Sequence, residues 1–202
     1  MICKDLTKIY TRLAEYLMIL RRLLRETAGT FLERQWEQAE KGNIVLVEER
    51  MLPEILRIQA EGFKHINREK IVRYSNSFKK TFYVIENQDK IVGYCIYYLK
   101  PALSSKGFEK QSVISEIAID KNFRGRGFAE KLLKESIEEM KLNTVSSILL
   151  YVSTENQPAI SLYEKFGFRK TKKVKNVCSP GEICHEMELR LKTCSSDSNH
   201  RE

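Results

Sequence analysis

Between Ile2 and Leu24 apolar residues return at steps of three or four: Ile2, Leu6, Ile9, Leu13, Leu17, Leu20 and Leu24. That spacing lays one apolar stripe along a helix. Arg12, Glu15, Arg21 and Arg22 give the rest of its surface mixed charge. Gly29 is expected to interrupt it. Thr30, followed three residues later by Glu33, has the form of a capping box, which predicts a second short helix through Trp36 to about Lys41. From Ile44 the period changes. Ile44 to Val47 reads as a buried strand, and Pro53 opens a helix carrying Ile55, Leu56, Ile58 and Phe63. Thr81 to Glu86 and Ile91 to Lys100 read as a hairpin joined across Asn87-Gln88-Asp89-Lys90. Pro101 to Lys110 reads as a polar loop, and Ser112 to Asp120 as a fourth strand. A glycine-bearing turn from Asn122 to Gly127 leads into a helix over about Phe128 to Lys141, with Ala129, Leu132, Leu133, Ile137 and Met140 on one face. A fifth strand follows over Ser146 to Ser153, then a short helix over Gln157 to Lys165 that Gly167 ends. Two strands around Ser179-Pro180-Gly181 complete the pattern. The chain therefore divides into a helical extension (1–43), an α/β domain (44–192) and a polar tail (193–202) expected to be disordered.

The 202 residues, 42% hydrophobic and 31% charged, suffice for one domain of ordinary size with an appendage. No run is long and apolar enough for a membrane span or a secretory signal. Cys3, Cys95, Cys178, Cys184 and Cys194 are odd in number and scattered, which argues against a disulfide framework and for a reducing cytoplasm. Cys178, Cys184 and His185 make poor zinc geometry, so no metal is expected. The net charge of +8 favours anionic partners without choosing among them. The basic run Lys165, Arg169, Lys170, Lys172, Lys173 and Lys175 reads first as a solvated strand face, and no nucleic-acid motif accompanies it.

The segment with chemistry in it is Arg124-Gly125-Arg126-Gly127-Phe128-Ala129, at a strand-to-helix turn. A helix start offers unpaired backbone N–H groups and partial positive charge, and glycines let a phosphate approach the backbone. By itself this is also compatible with a plain tight turn. It is neither a Walker loop nor a dinucleotide fingerprint.

Arg124-x-x-Gly127-x-Ala129 resembles the acetyl-CoA signature of the GNAT acyltransferase superfamily, and the resemblance runs through Glu116 to Asp120 before it and the helix after it. Residues 151–168, with Asn156, Ala159, Leu162, Tyr163, Phe166 and Gly167, are similar to the family's second signature. The resemblance covers about 44–191 and is strongest to the RimI-like branch, which acetylates protein N-termini. It implies an α/β (α+β) GNAT fold: a mixed, mostly antiparallel sheet flanked by helices, here with an added N-terminal helix. It further implies acetyl-CoA as co-substrate, with backbone amides from Arg124 to Ala129 on its pyrophosphate. The pantetheine arm would run along Ile117, Ala118 and Ile119, where the fourth and fifth strands splay. A primary amine would attack the thioester directly in a ternary complex.

Asn156 and Tyr163, about two helical turns apart, can both face that co-substrate. A phenol beside the leaving sulfur can protonate it, which assigns Tyr163 as general acid; outside the motif Tyr163 would read as packing against Leu162 and Phe166. Glu116 lies on the face opposite Ile117 and Ile119 and could take the amine's proton through water, or serve as an ion-paired strand residue. Tyr151 stands where N-terminal acetyltransferases commonly carry a glutamate or histidine base, and Val177-Cys178 where they commonly pair tyrosines. The expected acceptor is a protein or peptide amine, with a small amine as the rival and a non-catalytic acyl-CoA-binding module as a further alternative. The N-terminal helix could dock on the domain's sheet, build a homo-oligomer or lie on a membrane surface; its mixed charge makes packing within the chain or between subunits the default.

Overall fold

A computed structural model describes residues 2–39, 42–63, 66–104 and 107–191. The expected end of the second helix at Lys41 and the tail from Thr193 lie outside these residues. Helix α1 spans Ile2–Leu32, and the helical segments beyond it are α2 (Leu52–Gly62), α3 (Arg68–Ser77), α4 (Phe128–Leu142) and α5 (Gln157–Lys165). The strands are β1 (Ile44–Leu46), β2 (Phe82–Asn87), β3 (Lys90–Ser104), β4 (Gly107–Ile119), β5 (Val145–Ser153), β6 (Arg169–Lys175) and β7 (Ile183–Arg190). They form one seven-stranded sheet in the order β1-β2-β3-β4-β5-β7-β6. Among the described residues only β4 and β5 run parallel; the mixed, mostly antiparallel sheet expected from the resemblance is present.

Alternation in the strands feeds two cores, one on each face of the sheet. Cys95, Tyr97, Leu99, Ile114 and Ile119 pack with Leu132, Leu133, Ile137 and Met140 of α4 and with Ile160 and Tyr163 of α5. Phe82, Val84, Tyr94 and Ile96 pack on the other face with Ile55 and Ile58 of α2 and Ile71 and Tyr74 of α3. The hairpin at Asn87 to Lys90 turns through Gln88 and Asp89, both at positive φ, a two-residue turn whose twist matches the strands.

Three expectations are corrected here. Gly29 does not break α1. A Cβ at that position would lie 2.3 Å from the Phe78 ring, so the missing side chain is what lets the helix lie on β3 and α3. Thr30 and Glu33 form no capping box: Thr30 donates back to the Glu26 carbonyl (2.8 Å), and Glu33 accepts from Thr81 Oγ1 (2.7 Å). Residues 33–35 form a turn in place of the second helix. Finally, the supposed loop after Pro101 is ladder, because β3 and β4 stay paired out to Ser104 and Gly107. This ribbon projects past both cores, so polar residues serve on either face and even Leu103 and Phe108 stay exposed. Helix α3 carries few apolar residues, and the sequence pattern did not mark it. Asn67 starts it by accepting from the Lys70 N–H (2.9 Å).

After α1 the chain crosses to the α4 side. Trp36 is buried there and donates Nε1–H to Glu139 Oε1 (2.8 Å). Asn143, past the end of α4, exchanges two hydrogen bonds with the Glu37 backbone (2.7 and 2.8 Å).

Candidate functional site

The parallel β4–β5 ladder runs from Lys110 and Val145 to Ile114 and Leu150 and goes no further, although both strands continue, to Ile119 and Ser153. They therefore diverge into an open V. Its cause sits in β4: Ile96 pairs with Glu116 and Tyr97 with Ile114, which leaves Ser115 as an extra, bulged residue. A bulge bends its strand and raises its twist. Beyond it Ile117 and Ile119 face the α4 side, while Glu116 and Ala118 face α2 and α3.

At the mouth of the V, β4 ends in a short 3-10 turn, Lys121–Phe123, and the chain enters α4 through Gly125 (φ 72°) and Gly127 (φ 81°). Both are left-handed, a region glycine adopts without steric cost. A Cβ at either would meet nothing within 4 Å. The space over the turn is thus open. The first intrahelical bond runs from the Lys131 N–H to the Gly127 carbonyl (3.0 Å), so the N–H groups of Phe128, Ala129 and Glu130 have no partner within the helix. Arg124 donates Nε–H to the Ile119 carbonyl (3.0 Å), and the Arg126 guanidinium lies 5.3 Å from the centre of the Phe123 ring. Asp120, at the start of the turn, is ion-paired with Arg57. Burial pulls its carboxyl upward, but Arg57 and the Asn122 N–H outweigh burial and hold it below the usual range. The bare glycine turn, the open space and the unpaired N–H groups fit a pyrophosphate, and the V beside them fits a pantetheine arm.

On α5, Tyr163 is buried, edge-on to Phe168 at 5.6 Å. Burial, and then the Cys95 thiol beside it, push its phenol well above the ordinary range. Cys95 pairs with Ile117, which sets Tyr163 at the level of the V. Its hydroxyl has no hydrogen-bond partner among the described residues. The two-turn argument does not hold for Asn156. That residue is the N-cap, one position outside α5, and its Oδ1 accepts the Ala159 N–H (3.2 Å). Its side-chain amide N–H groups are what it has left to offer a ligand.

Glu116 is buried and engaged on both oxygens. Lys70 Nζ lies 2.8 Å from Oε1; Gln59 Nε2 (2.8 Å) and the Tyr94 hydroxyl (3.0 Å) donate to Oε2. Tyr151, on the same face of β5 near the V, donates its hydroxyl to Glu186 Oε2 (2.9 Å). Burial and then Glu186 push the Tyr151 phenol up to about 12. Burial raises Glu186, but hydrogen bonds from Thr171 and Tyr151 and the charge of Lys172 more than offset this and keep it below its ordinary range. Glu186 escaped sequence reasoning. It meets Tyr151 only through the antiparallel β5–β7 register, a pairing that no local spacing reveals.

The basic run starts at Lys165, the last residue of α5, which pairs with Glu130, and from Arg169 to Lys175 lies along the edge strand β6, exposed except at Val174. Cys178 and Cys184 are joined in a disulfide, which corrects the expectation of free thiols at this pair. The β6–β7 hairpin brings them together across a six-residue separation. Among the described residues no helix is long and apolar enough to cross a membrane.

The profile of the Acetyltransferase (GNAT) family matches residues 48–168. An N-alpha-acetyltransferase of Sulfolobus acidocaldarius is 32% identical over 130 residues, covering 59% of this chain and 74% of the relative. The crystal structure of the ribosomal-protein-S18-alanine N-acetyltransferase from Escherichia coli aligns with a TM-score of 0.62 at 19% identity, covering 78% of this chain and 98% of that one. Arabidopsis thaliana Naa50, solved in complex with the bisubstrate analogue CoA-Ac-MVNAL, aligns with a TM-score of 0.64 at 20% identity, covering 74% of this chain and 100% of that one.

Proposed function

The chain belongs to the GNAT acetyltransferase family and is an acetyl-CoA-dependent N-acetyltransferase; from that premise we propose that its acceptor is the α-amine of a protein N-terminus, attacking the thioester directly in a ternary complex. The bisubstrate complex of Naa50 and the name of the Sulfolobus relative support a peptide acceptor. One observation carries the choice of α-amine over lysine: among the described residues, the acceptors the V offers are weak bases already engaged by partners. Glu116 is ion-paired with Lys70, and Tyr151 is held protonated by burial and then by Glu186. An α-amine, with an unperturbed pKa of about 8, is partly neutral at physiological pH, whereas a lysine amine near ~10.4 needs a far stronger acceptor.

Acetyl-CoA supplies the activated acyl group. The amides of Arg124 to Ala129 hold its pyrophosphate, and its arm runs along the β4 backbone at Ile117, Ala118 and Ile119, the two isoleucines facing the α4 side and Ala118 the other. Glu116 takes the amine's proton through a water on the lone pair its three partners leave free, and the Tyr151–Glu186 pair positions the acceptor. Tyr163 donates to the departing sulfur. Because its phenol is a weaker acid than a thiol, its contribution is a hydrogen bond to developing negative charge more than complete proton loss.

The test is incubation with acetyl-CoA and a mixed pool of peptides with free N-termini, peptides with internal lysines only and small polyamines, with new acetyl groups located by mass spectrometry. Label on α-amines is the expected result. Label confined to polyamines would overturn it in favour of a metabolic substrate, and label on lysines alone would refute the argument from the weak, engaged base.

A further inference from the structure

On the sheet face opposite α4, the second half of α1 stands over β3 and leaves a trough of about 780 Å3. Its walls include Arg21, Arg22 and Arg25 from α1 and Lys100 from β3, with Glu15 as the one acid among the described residues and the Tyr98 ring below Arg25 at 5.0 Å. Two apolar side chains of α1 complete it. Among the described residues, none of these four cations has a carboxylate within ion-pair distance. The Nε atoms of Arg22 and Arg25 are also buried without a hydrogen-bond partner. Burial pulls the Lys100 ammonium below its ordinary range; Glu186 pulls it back up, and Lys172 and Arg25 push it further down. Like charges gathered between a helix and the sheet, two of them with a buried Nε–H unspent, destabilise one another until an anion enters.

The trough adjoins the V. Tyr98 pairs with Val113, and Val113 with Leu149; Tyr151 is two residues further along β5. Two strand spacings across and two residues along amount to roughly 12 Å, which an extended peptide covers in about three to four residues. An acceptor whose amine sits in the V would therefore lay its third to fifth residues over the cations.

We propose that this trough selects acceptors with Asp or Glu at about the third to fifth residue, so that the enzyme prefers acidic protein N-termini. The proposal rests on the N-terminal acceptor argued above. Four cations gathered around one aromatic ring suit a few carboxylate side chains better than a nucleic-acid strand, whose bases call for successive aromatic platforms where this trough has Tyr98 alone among its described lining residues.

The experiment compares acetyl transfer to synthetic peptides sharing their first two residues and carrying either Glu and Asp or Gln and Asn at positions three to five. The expected result is a kcat/KM about tenfold or more higher for the acidic set at low salt, shrinking as KCl is added. Arg21→Gln/Arg22→Gln should abolish that preference while leaving the rate on the neutral set within about twofold. Equal kcat/KM for both sets in the wild type, or a preference indifferent to salt, would overturn the proposal and leave the N-terminal acceptor standing. Acetylation of polyamines with no peptide modified would overturn both. Tighter binding of poly(U) than of the acidic peptide, followed by fluorescence anisotropy, would assign the trough to nucleic acid and overturn the proposal alone. The wild-type salt series decides the matter even where the double variant fails to fold.

Discussion

A buried phenol that keeps its proton at any physiological pH can act only as a donor, and that is the state burial imposes on Tyr163. Tyr163→Phe removes the hydroxyl and keeps the ring against Phe168. Turnover should fall about 100-fold while KM for acetyl-CoA changes little, as read from steady-state kinetics. Glu116→Gln is a different matter. It leaves Lys70 facing an amide, so a loss of stability should accompany a loss of rate. The double change Glu116→Gln/Lys70→Met should restore the melting temperature and not the rate; recovery of both would make Glu116 purely structural. Sequence reasoning singled out Tyr163, Glu116 and Asn156 because signature segments carry them. What spacing could not supply was each residue's commitment: Asn156 spends its oxygen on a helix cap, Glu116 is tied to three partners, and Tyr151 is paired with a residue 35 positions away.

Elements explain how the open turn is kept open. At Gly127 a side chain would be strained by φ 81°, at a cost of about 1–2 kcal/mol, and its Cβ would project into the space over the α4 N–H groups. Gly127→Val should therefore weaken acetyl-CoA binding by calorimetry far more than it lowers the melting temperature; unchanged affinity would mean that the phosphate lies elsewhere. Gly29 answers to the opposite constraint, since nothing about its φ demands glycine and the Phe78 ring does. The helix-breaking expectation failed because a glycine inside a periodic pattern signals close packing as readily as a stop, and sequence alone does not separate the two. Strands with strong alternation were legible. The β3–β4 ribbon, lacking a buried face, was not, and α3, polar over most of its surface, left no periodic trace.

Across the whole molecule, α1 and the segment after it work as a strap running over one core and under the other. Arg73 pairs with Glu26 (2.7 Å) at one end, and Trp36 and Glu37 are held by Glu139 and Asn143 at the other. Between them Glu33 is buried, accepting from Thr81 while Lys80 reaches its carbonyl (3.0 Å). Burial raises the Glu33 carboxyl from 4.5 to about 7, against the smaller pulls of Thr81 and Lys80. The folded state thus holds a proton between these two values that the unfolded chain has released. Stability from this group is full below about pH 4.5 and is lost as pH rises to about 7, a change on the order of 3 kcal/mol. Glu33→Gln keeps an oxygen for Thr81 and carries no charge to bury. Urea unfolding at pH 5 and pH 8 should show the wild type losing stability between them and the variant losing less, with the variant the more stable at pH 8. An equal loss in both proteins would mean that Glu33 is solvated when ionised, and that the strap lifts from Thr81 without unfolding the rest.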